Sequence, residues 1–410
     1  NAFGNTKSLS VLTIPASVTE IGKYAFRSSA ISEIKFAPRA TGKEETPFEP
    51  LKLGESVFTY CASLKKATFP DGLTSIPDST FYNCAALTYV YVPKTVANGD
   101  DVVAGVSGFA RAIGPRAFYH CESLAEIEFG LGGTGDLSFA ERAFWGCTSL
   151  KTIDLPESLT YLGTYTFQNS GLTSVTIPAG VKHLSLGKTS SAASGTHNVY
   201  TFANCTDLVS VTFNEGLETM GRFVFSGCTS LESVKLPSSL YCMDRENFSN
   251  SGLKSITIPA TLTDWDYSFI NCTSLVTVTL ERGITEIPYS AFSGCTSLTT
   301  VNLPDTLTEM ASSVFSGCTS LSNIVLPESL VEIGGSAFAN CTSLKSLVIR
   351  PNTAITSSDT FSGWTAEQTI YIMESRYVIS QYWYGPTSAT ASTHWFKDCN
   401  AKIVYDYTPE

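Results

Sequence analysis

Apolar and polar positions along the chain recur with a period of 23 residues. A clear copy, residues 291–304, reads Ala-Phe-Ser-Gly-Cys-Thr-Ser-Leu-Thr-Thr-Val-Asn-Leu-Pro, and its phenylalanine marks the same place in the other copies. The marker phenylalanines are Phe3, Phe26, Phe58, Phe81, Phe118, Phe144, Phe167, Phe202, Phe225, Phe248, Phe269, Phe292, Phe315, Phe338 and Phe361, with a degenerate copy at Phe396. Nine of the fifteen intervals are 23 residues long. A unit this short cannot bury its own apolar face, so the copies must stack, and the pattern predicts a solenoid.

Each copy predicts one short strand followed by a turn. Leu298 to Leu303 is rich in β-branched residues, alternates at its end and stops at Pro304, which cannot donate a ladder hydrogen bond. Stacked copies place these strands parallel and about 4.8 Å apart. The segment Pro327 to Ile333 predicts a turn with a second short extended piece, and Gly334 to Phe338 predicts one helical or 3₁₀ turn.

The cysteines follow the same period. Eleven of the twelve lie three residues after a marker, and only Cys242 lies elsewhere. Other copies place Thr6, Ser29, Ser170 or Ser251 in this slot, so we interpret it as a buried position for a small side chain. Successive sulfurs would lie about 5 Å apart, which leaves disulfide pairing open as the alternative.

Composition and motif content argue against several classes of function. A net charge of −11 and the absence of a basic stripe argue against a nucleic-acid partner. No apolar run reaches the roughly 18 residues of a membrane span. The four histidines are far apart and no metal-ligand, nucleophile-elbow or phosphate-loop motif occurs, so we expect no enzyme activity, catalytic residue, metal or cofactor.

The residue pattern of the repeat resembles that of a known family. Leu9 to Phe26 reads Leu-x-x-Leu-x-Ile-Pro-x-x-Val-x-x-Ile-Gly-x-x-Ala-Phe and resembles the BspA-like leucine-rich repeats. The resemblance implies a β-dominated solenoid with a parallel sheet on its concave face and short 3₁₀ or helical turns and extended segments on its convex face. It also implies an exported or surface-attached bacterial protein that binds host matrix or plasma proteins. We expect any signal or anchor to lie outside these residues.

The predicted organisation is an array of about 15 coils over residues 1–364, followed by a cap over 365–410. Extra residues between markers predict insertions near 37–50, 94–111 and 182–198. The cap resembles the end of BspA-like arrays, with strands at 369–372 and 402–405 and a short helix at 374–383.

Outward positions of the strands supply the candidate binding residues. They carry charged and aromatic side chains in the early copies and mainly Ser and Thr in the later ones. The candidates are Lys66, Tyr89, Tyr91, Glu126, Glu128 and Asp154, with Tyr89 and Tyr91 first, because tyrosine offers a large contact area at low entropic cost. Alternatively, the aromatic side chains only fit a pleated surface.

The sequence therefore predicts a noncatalytic surface protein that binds a macromolecule, such as a host protein, through its concave sheet and the loops of its N-terminal half. Two other hypotheses stay open. Tyrosines beside carboxylates also suit a glycan ligand, and a bare repeat array also suits a structural spacer in a larger surface protein.

Overall fold

The computed structural model describes residues 2–37, 50–96, 112–130, 136–184, 198–350, 353–373 and 399–407. The chain divides into two compact units, residues 1–228 and 229–410. Within the described residues every regular element is a strand. None of these residues forms a helix that is long and apolar enough to cross a membrane.

The strands of the first unit are β1 (Val11–Ile14), β2 (Glu20–Ile21), β3 (Glu33–Phe36), β4 (Lys52–Leu53), β5 (Lys66–Thr68), β6 (Tyr89–Val92), β7 (Glu126–Phe129), β8 (Leu137–Phe139), β9 (Leu159–Leu162), β10 (Ser174–Ile177), β11 (His183–Leu184), β12 (Ser210–Phe213) and β13 (Thr219–Met220). Those of the second unit are β14 (Cys242–Met243), β15 (Ser255–Ile258), β16 (Thr277–Leu280), β17 (Glu286–Ile287), β18 (Thr300–Asn302), β19 (Glu309–Met310), β20 (Glu332–Ile333), β21 (Ser346–Ile349), β22 (Ala354–Ile355), β23 (Thr369–Met373) and β24 (Lys402–Tyr407).

The main sheet of the first unit is parallel and has the order β1-β3-β5-β6-β7. Its register joins the same position of successive copies, so that Ile34, Ala67, Val90 and Ile127 form one buried row. Residues on either side of that row face outward, because successive side chains of a strand point to opposite faces. A separate pair, β10 with β12, continues the pattern later in the unit.

Two-residue strands form a second set of parallel ladders. In the second unit these have the order β17-β19-β20-β22, and in the first unit they include the pairs β2-β4 and β11-β13. The second extended piece predicted from Pro327 to Ile333 is β20. The leucine-rich-repeat solenoid predicted from the period is confirmed, with parallel strands that stack copy upon copy.

The marker phenylalanines from Phe26 to Phe361 form the centre of the core, and the exposed ring of Phe3 stacks on its end. In the first unit, rings from Phe3 to Phe225 stack with centroids 5.1–5.4 Å apart and planes within 12°. In the second unit, rings from Phe248 to Phe361 stack at 5.4–6.1 Å. Offset stacks of this kind add to the free energy of burial, so the phenylalanine spacing holds the copies in register.

The segment around each marker differs from the predicted helical turn. It is a run of hydrogen-bonded turns. From Phe26 to Phe338 the residue two before the marker and the residue two after it both have a left-handed backbone, as at Ser290 (φ 51°) and Gly294 (φ 74°). Alternate N–H groups donate to carbonyls of the next copy. Those of Ser290, Phe292 and Gly294 donate to the carbonyls of Ser312, Val314 and Ser316. The N–H groups between them bond three residues back within the copy, as Ala337 does to Gly334 at 3.4 Å and Ser293 to Ser290 at 3.2 Å. The predicted turn is therefore present as separate three-residue hydrogen-bonded turns and not as a regular helix.

The prediction of one strand in every copy was wrong. Residues 151–155, 234–236 and 321–326 form no strand, although Ile153, Leu236 and Ile324 are buried at the expected inward positions. The sequence period decides which side chains face the core. It does not decide the separation between two backbones, and hydrogen bonds depend on that separation.

Several predicted features lie outside the described residues. The greater part of each predicted insertion falls there, as does the helix predicted at 374–383. In the cap region β23 and β24 extend the sheet from β21 in parallel order. The boundary between array and cap at residue 364 stays a prediction.

Candidate functional site

The main sheet of the first unit brings five of the six candidate residues onto one face. Lys66, Tyr89 and Glu126 are paired in one row across β5, β6 and β7. Tyr91 and Glu128 are paired in the next row on the same face. Adjacent strands lie about 4.8 Å apart, so these side chains form one continuous surface, which we call the tyrosine patch.

Tyr89 is the centre of the contacts in the tyrosine patch. Its hydroxyl donates a hydrogen bond of 2.7 Å to Glu128 Oε2, and Lys66 Nζ lies 4.5 Å from the centre of its ring. Its side chain is half-buried, whereas Lys66, Glu126 and Glu128 are exposed. A cation over the ring and a carboxylate on the hydroxyl fix the orientation of Tyr89 before any ligand arrives.

The tyrosines of the patch are neutral hydrogen-bond donors at physiological pH. Burial, followed by the hydrogen bond to Glu128 and the charges of Glu128 and Glu126, raises the pKa of Tyr89 to about 12. Burial and the charges of Asp71 and Glu128 also raise the pKa of Tyr91. The Tyr91 hydroxyl would lie 2.9 Å from a Cβ on Gly130, so a side chain at Gly130 would displace it.

Asp154 lies apart from the other five. It belongs to the segment 151–155, which makes no ladder with β7. A groove with a volume of about 1030 Å³ runs along both, and Glu126, Glu128 and Asp154 all line it. The structure therefore places Asp154 across a groove from the tyrosine patch and not on its surface.

A second aromatic surface, which the sequence analysis missed, runs along the turns. Tyr82, Tyr119 and Trp145 each follow a marker directly, and their rings stack at 4.8 Å with planes within 8°. An aromatic residue immediately after the marker in three successive copies was the signal in the sequence. These ring faces are occupied by one another, which favours a packing role over ligand binding.

His120 and Cys121 do not form a nucleophile pair. Cys121 is fully buried and its Sγ donates to the carbonyl of Phe81 at 3.1 Å. Burial raises the pKa of the Cys121 thiol well above its ordinary value, which opposes thiolate formation. His120 Nδ1 lies 3.2 Å from Glu122 Oε1, and its ring packs edge-on against Trp145.

All twelve cysteines are unpaired, and ten of the eleven in the repeat slot are buried. Burial raises the pKa of Cys205 to about 11 and those of Cys272 and Cys341 to about 12. The interpretation of the slot as a place for buried free thiols is therefore confirmed at these ten positions. Over the described ranges of the chain, no three His, Cys, Asp or Glu side chains converge as metal ligands.

Comparison with solved structures supports the fold. A leucine-rich repeat protein from Bacteroides ovatus ATCC 8483 is 26% identical, with a TM-score of 0.70 over 97% of this chain and 92% of that one. The pneumococcal vaccine antigen PcpA is 17% identical over 97% and 80% of the chains, with a TM-score of 0.41. A leucine-rich cell surface protein from Faecalibacterium prausnitzii A2-165 is 21% identical over 90% and 80%, with a TM-score of 0.32. Scores below 0.5 do not establish a shared fold, so only the first of these supports it.

Comparison with protein families gives a direct assignment. The profile of the BspA-type leucine-rich repeat region matches residues 1–102, 108–189, 196–287 and 265–390. No curated protein matches the chain. With almost the whole sequence covered by the profile, this chain belongs to the BspA-type leucine-rich repeat family.

Proposed function

We propose that this chain is a noncatalytic, exported or cell-surface bacterial protein that recognises a macromolecule, such as a host protein, through its sheet face. The observation that carries the proposal is the tyrosine patch, where Lys66 and Glu128 fix a half-buried Tyr89 between them. An aromatic ring held in place loses little conformational entropy on binding. Family membership supports the location.

The contrast between the two units supports the same surface. In the second unit the corresponding outward rows of β16 and β18 carry Thr277, Thr279, Thr300 and Asn302. These short polar side chains offer little area for burial, whereas tyrosine and arginine dominate the energetics of protein interfaces. Recognition is therefore concentrated in the first unit, on β5, β6 and β7.

Capture of partners from serum and extracellular-matrix extracts tests the proposal. The bait is the intact chain, compared with Tyr89→Ala/Tyr91→Ala and with the matched control Thr277→Ala/Thr279→Ala on the equivalent rows of β16. We expect the control to recover the same proteins as the unaltered chain and the tyrosine variant to lose them. Equal recovery by all three baits would remove the tyrosine patch from the proposal.

A glycan ligand is the second candidate. The register places Tyr91 beside Glu128, and an aromatic ring beside a carboxylate suits a sugar, which offers an apolar face and hydroxyl donors. A glycan array tests this alternative. Signal that is lost in Tyr91→Ala, with no protein recovered by the bait, would favour a glycan, and no ligand of either kind would favour the structural spacer.

A further inference from the structure

Opposite charges lie on either side of the two tyrosines of the tyrosine patch. Lys66 begins β5 and Lys65 directly precedes it, the tyrosines lie on β6, and Glu126 and Glu128 lie on β7. All four charged side chains are exposed. Two steps of about 4.8 Å between adjacent strands separate β5 from β7, a span of about 9.6 Å. This face therefore has a basic side, an aromatic centre and an acidic side.

The charges on the two sides are not compensated by one another. Several exposed basic side chains of the array pair with a carboxylate of the adjacent copy, as Lys254 does with Glu232. In the part of the chain that the structure describes, none of the four charged side chains beside the tyrosines makes an ion pair. Tyr89 lies between the two sides, with Lys66 Nζ 4.5 Å from the centre of its ring and Glu128 Oε2 2.7 Å from its hydroxyl. Both sides can therefore meet charges of a partner.

The hydroxyl of Tyr91 is a hydrogen-bond donor of the aromatic centre. The Tyr89 hydroxyl donates to Glu128, whereas the Tyr91 hydroxyl makes no hydrogen bond to any of the described residues. Tyr91 is half-buried, and burial raises its pKa, so it keeps its proton at physiological pH. A phenolic O–H of this kind can donate to a carbonyl oxygen. The centre therefore offers ring surface and one hydrogen-bond donor to a ligand.

A partner on this face must be recognised by side chains and not by strand pairing. β6 is paired on both sides, with β5 and with β7. The copy after β7 packs directly against it, because the rings of Phe118 and Phe144 lie 5.1 Å apart and the Ser149 N–H donates to the Glu122 carbonyl. The ligand therefore needs a backbone that requires no ladder partner. Polyproline II is such a backbone, since it has no internal hydrogen bonds and its polar groups are solvated.

The repeat of polyproline II matches the span between the basic and acidic sides. It has three residues per turn and a rise of about 3.1 Å, so residues three apart lie on one face at about 9.3 Å. The span from β5 to β7 is about 9.6 Å. Residues on one face of a β-strand are instead about 6.8 or about 13.6 Å apart. A polyproline II segment that crosses the strands therefore places two charged residues, three positions apart, over the two sides.

We propose that the tyrosine patch, extended by Lys65, binds a proline-rich segment of a partner protein in which an acidic and a basic residue lie three positions apart. The acidic side chain faces Lys65 and Lys66, and the basic side chain faces Glu126 and Glu128. The prolines between them pack on the tyrosine rings, as proline-rich segments do in aromatic-lined grooves, and a backbone carbonyl accepts from Tyr91. The inference rests on the proposed function and names the chemistry of the partner.

Binding of short fluorescent peptides to the intact chain tests the inference. The probe is acetyl-Pro-Pro-Asp-Pro-Pro-Lys-Pro-Pro-amide with a terminal fluorophore. Of three control peptides of the same length, one has aspartate and lysine adjacent, one has two lysines and one has two aspartates at the charged positions. We expect saturable binding of the probe and roughly fivefold weaker binding of each control, because each control loses one of the two charge contacts. Absence of saturable binding, or equal binding of the probe and the peptide with adjacent charges, would overturn the inference.

Charge reversal on the basic side locates the site. Lys65→Glu/Lys66→Glu makes both sides acidic, so the peptide with two lysines should now bind more tightly than the probe. The matched control Lys235→Glu/Lys254→Glu changes two exposed lysines of the second unit and the net charge equally, and it should keep the original order of affinities. An unchanged order in the first variant, or the same change of order in both, would overturn the assignment.

A second copy of the chain is the competing occupant, because the basic side of one copy could face the acidic side of another. Sedimentation of the intact chain over a range of concentrations tests for it. A concentration-dependent dimer that Lys65→Glu/Lys66→Glu abolishes, and that the probe does not disrupt, would replace the proline-rich segment with a second copy. A monomer that binds the probe supports the inference.

Failure of this inference can be separated from failure of the proposed function. If the probe does not bind but Tyr89→Ala/Tyr91→Ala still abolishes capture from serum and matrix extracts, the proline-rich ligand is wrong and recognition by the tyrosine patch stands. If the probe binds but capture is insensitive to the tyrosines, the peptide site stands and the captured proteins use another surface.

Discussion

At the scale of single residues, the cysteine slot has a function in the structure that its size alone does not explain. The Sγ of each buried repeat cysteine donates to the carbonyl of the marker in the preceding copy, as Cys318 does to Phe292 at 3.2 Å. In the copy that begins at Phe361 the slot holds Trp364, whose indole N–H donates to Phe338 at 2.8 Å. Trp364 is much larger than cysteine, yet it donates to the marker carbonyl at the same place. At the cysteine and tryptophan positions the slot therefore supplies a hydrogen-bond donor in addition to filling space.

Substitution at Cys318 separates these two requirements. Cys318→Ala removes the donor and leaves a void, and we expect the free energy of unfolding to fall by about 1–2 kcal/mol. Cys318→Ser retains a hydroxyl donor in the same slot and should cost less. Urea unfolding of the two variants measures the difference. An equal loss in both would show that the hydrogen bond to Phe292 contributes nothing.

The left-handed residue before the cysteine allows a second test. Gly317 has φ of 74°, and a Cβ added there would meet only the backbone of Gly294 at 3.7 Å. The cost of Gly317→Ala is therefore the backbone strain, about 1 kcal/mol, and Gly317→Asn should cost less because asparagine tolerates this conformation. Asn340 already occupies the equivalent position with φ of 59°. Urea unfolding that ranks asparagine below alanine would contradict this account.

At the scale of elements, side-chain burial and backbone pairing are set by different quantities. The segment Lys151 to Leu155 buries Ile153 as any strand of the array would, yet it forms no ladder. The marker turns show the converse, since Ser290, Phe292 and Gly294 send their N–H groups to the next copy in a segment that the sequence pattern predicts as a helical turn. Copies are therefore joined by hydrogen bonds at the turns even where the sheet is interrupted.

The second ladder of the second unit carries a row of like charges. Glu286 pairs with Glu309, and Glu309 with Glu332, so carboxylates of adjacent strands lie opposite one another. Burial, followed by the charges of Glu309 and Asp266, raises the pKa of Glu286. A raised pKa in the folded state means that folding takes up a proton at mildly acidic pH. Through this group, stability increases as pH falls from neutral towards 4.5.

Glu309→Gln should relieve this repulsion. We expect the variant to be more stable at pH 7 by a few tenths of a kcal/mol, the usual magnitude for like charges opposed on a sheet, and to gain less stability on acidification. Glu232→Gln is the opposite control, since it removes the partner of Lys254 and should not stabilise. Urea unfolding at pH 7 and pH 5 measures both. Destabilisation by Glu309→Gln would show that these carboxylates do not repel.

At the scale of the whole molecule, the buried thiols give the chain a common response to alkali. Burial raises the thiol pKa at Cys84, Cys228, Cys295 and Cys318 well above the ordinary value of 9.0. The unfolded chain loses these protons near pH 9 and the folded chain retains them. The unfolded state then binds fewer protons, so the free energy of unfolding must fall as pH rises.

We therefore expect the urea midpoint to fall steeply between pH 8 and pH 11. A variant with Cys295→Ser and Cys318→Ser should show a shallower fall, because two of the titrating thiols are gone. The measurement is urea unfolding at intervals of half a pH unit with a reductant present. A midpoint independent of pH over this range would show that the thiols ionise equally in both states.

The tyrosine patch shows how far the sequence predicted the candidate site. The alternation of β6 placed Tyr89 and Tyr91 on an outward face, and the repeat placed Lys66, Glu126 and Glu128 beside them. Asp154 was grouped with them on the assumption that every copy adds a strand. The break after β7 moved it across a groove. The stack of Tyr82, Tyr119 and Trp145 was missed because candidate residues were sought only at the outward positions of the strands.

The amino-acid sequence by itself determined the period, the solenoid class and the residues that face the core, because each 23-residue copy repeats the same apolar positions and each position is decided by its own side chain. The tertiary structure alone decided which copies pair, which carbonyl each thiol meets and where the sheet opens beside β7. Those features depend on the distance and alignment between backbones of different copies, to which hydrogen bonds are sensitive.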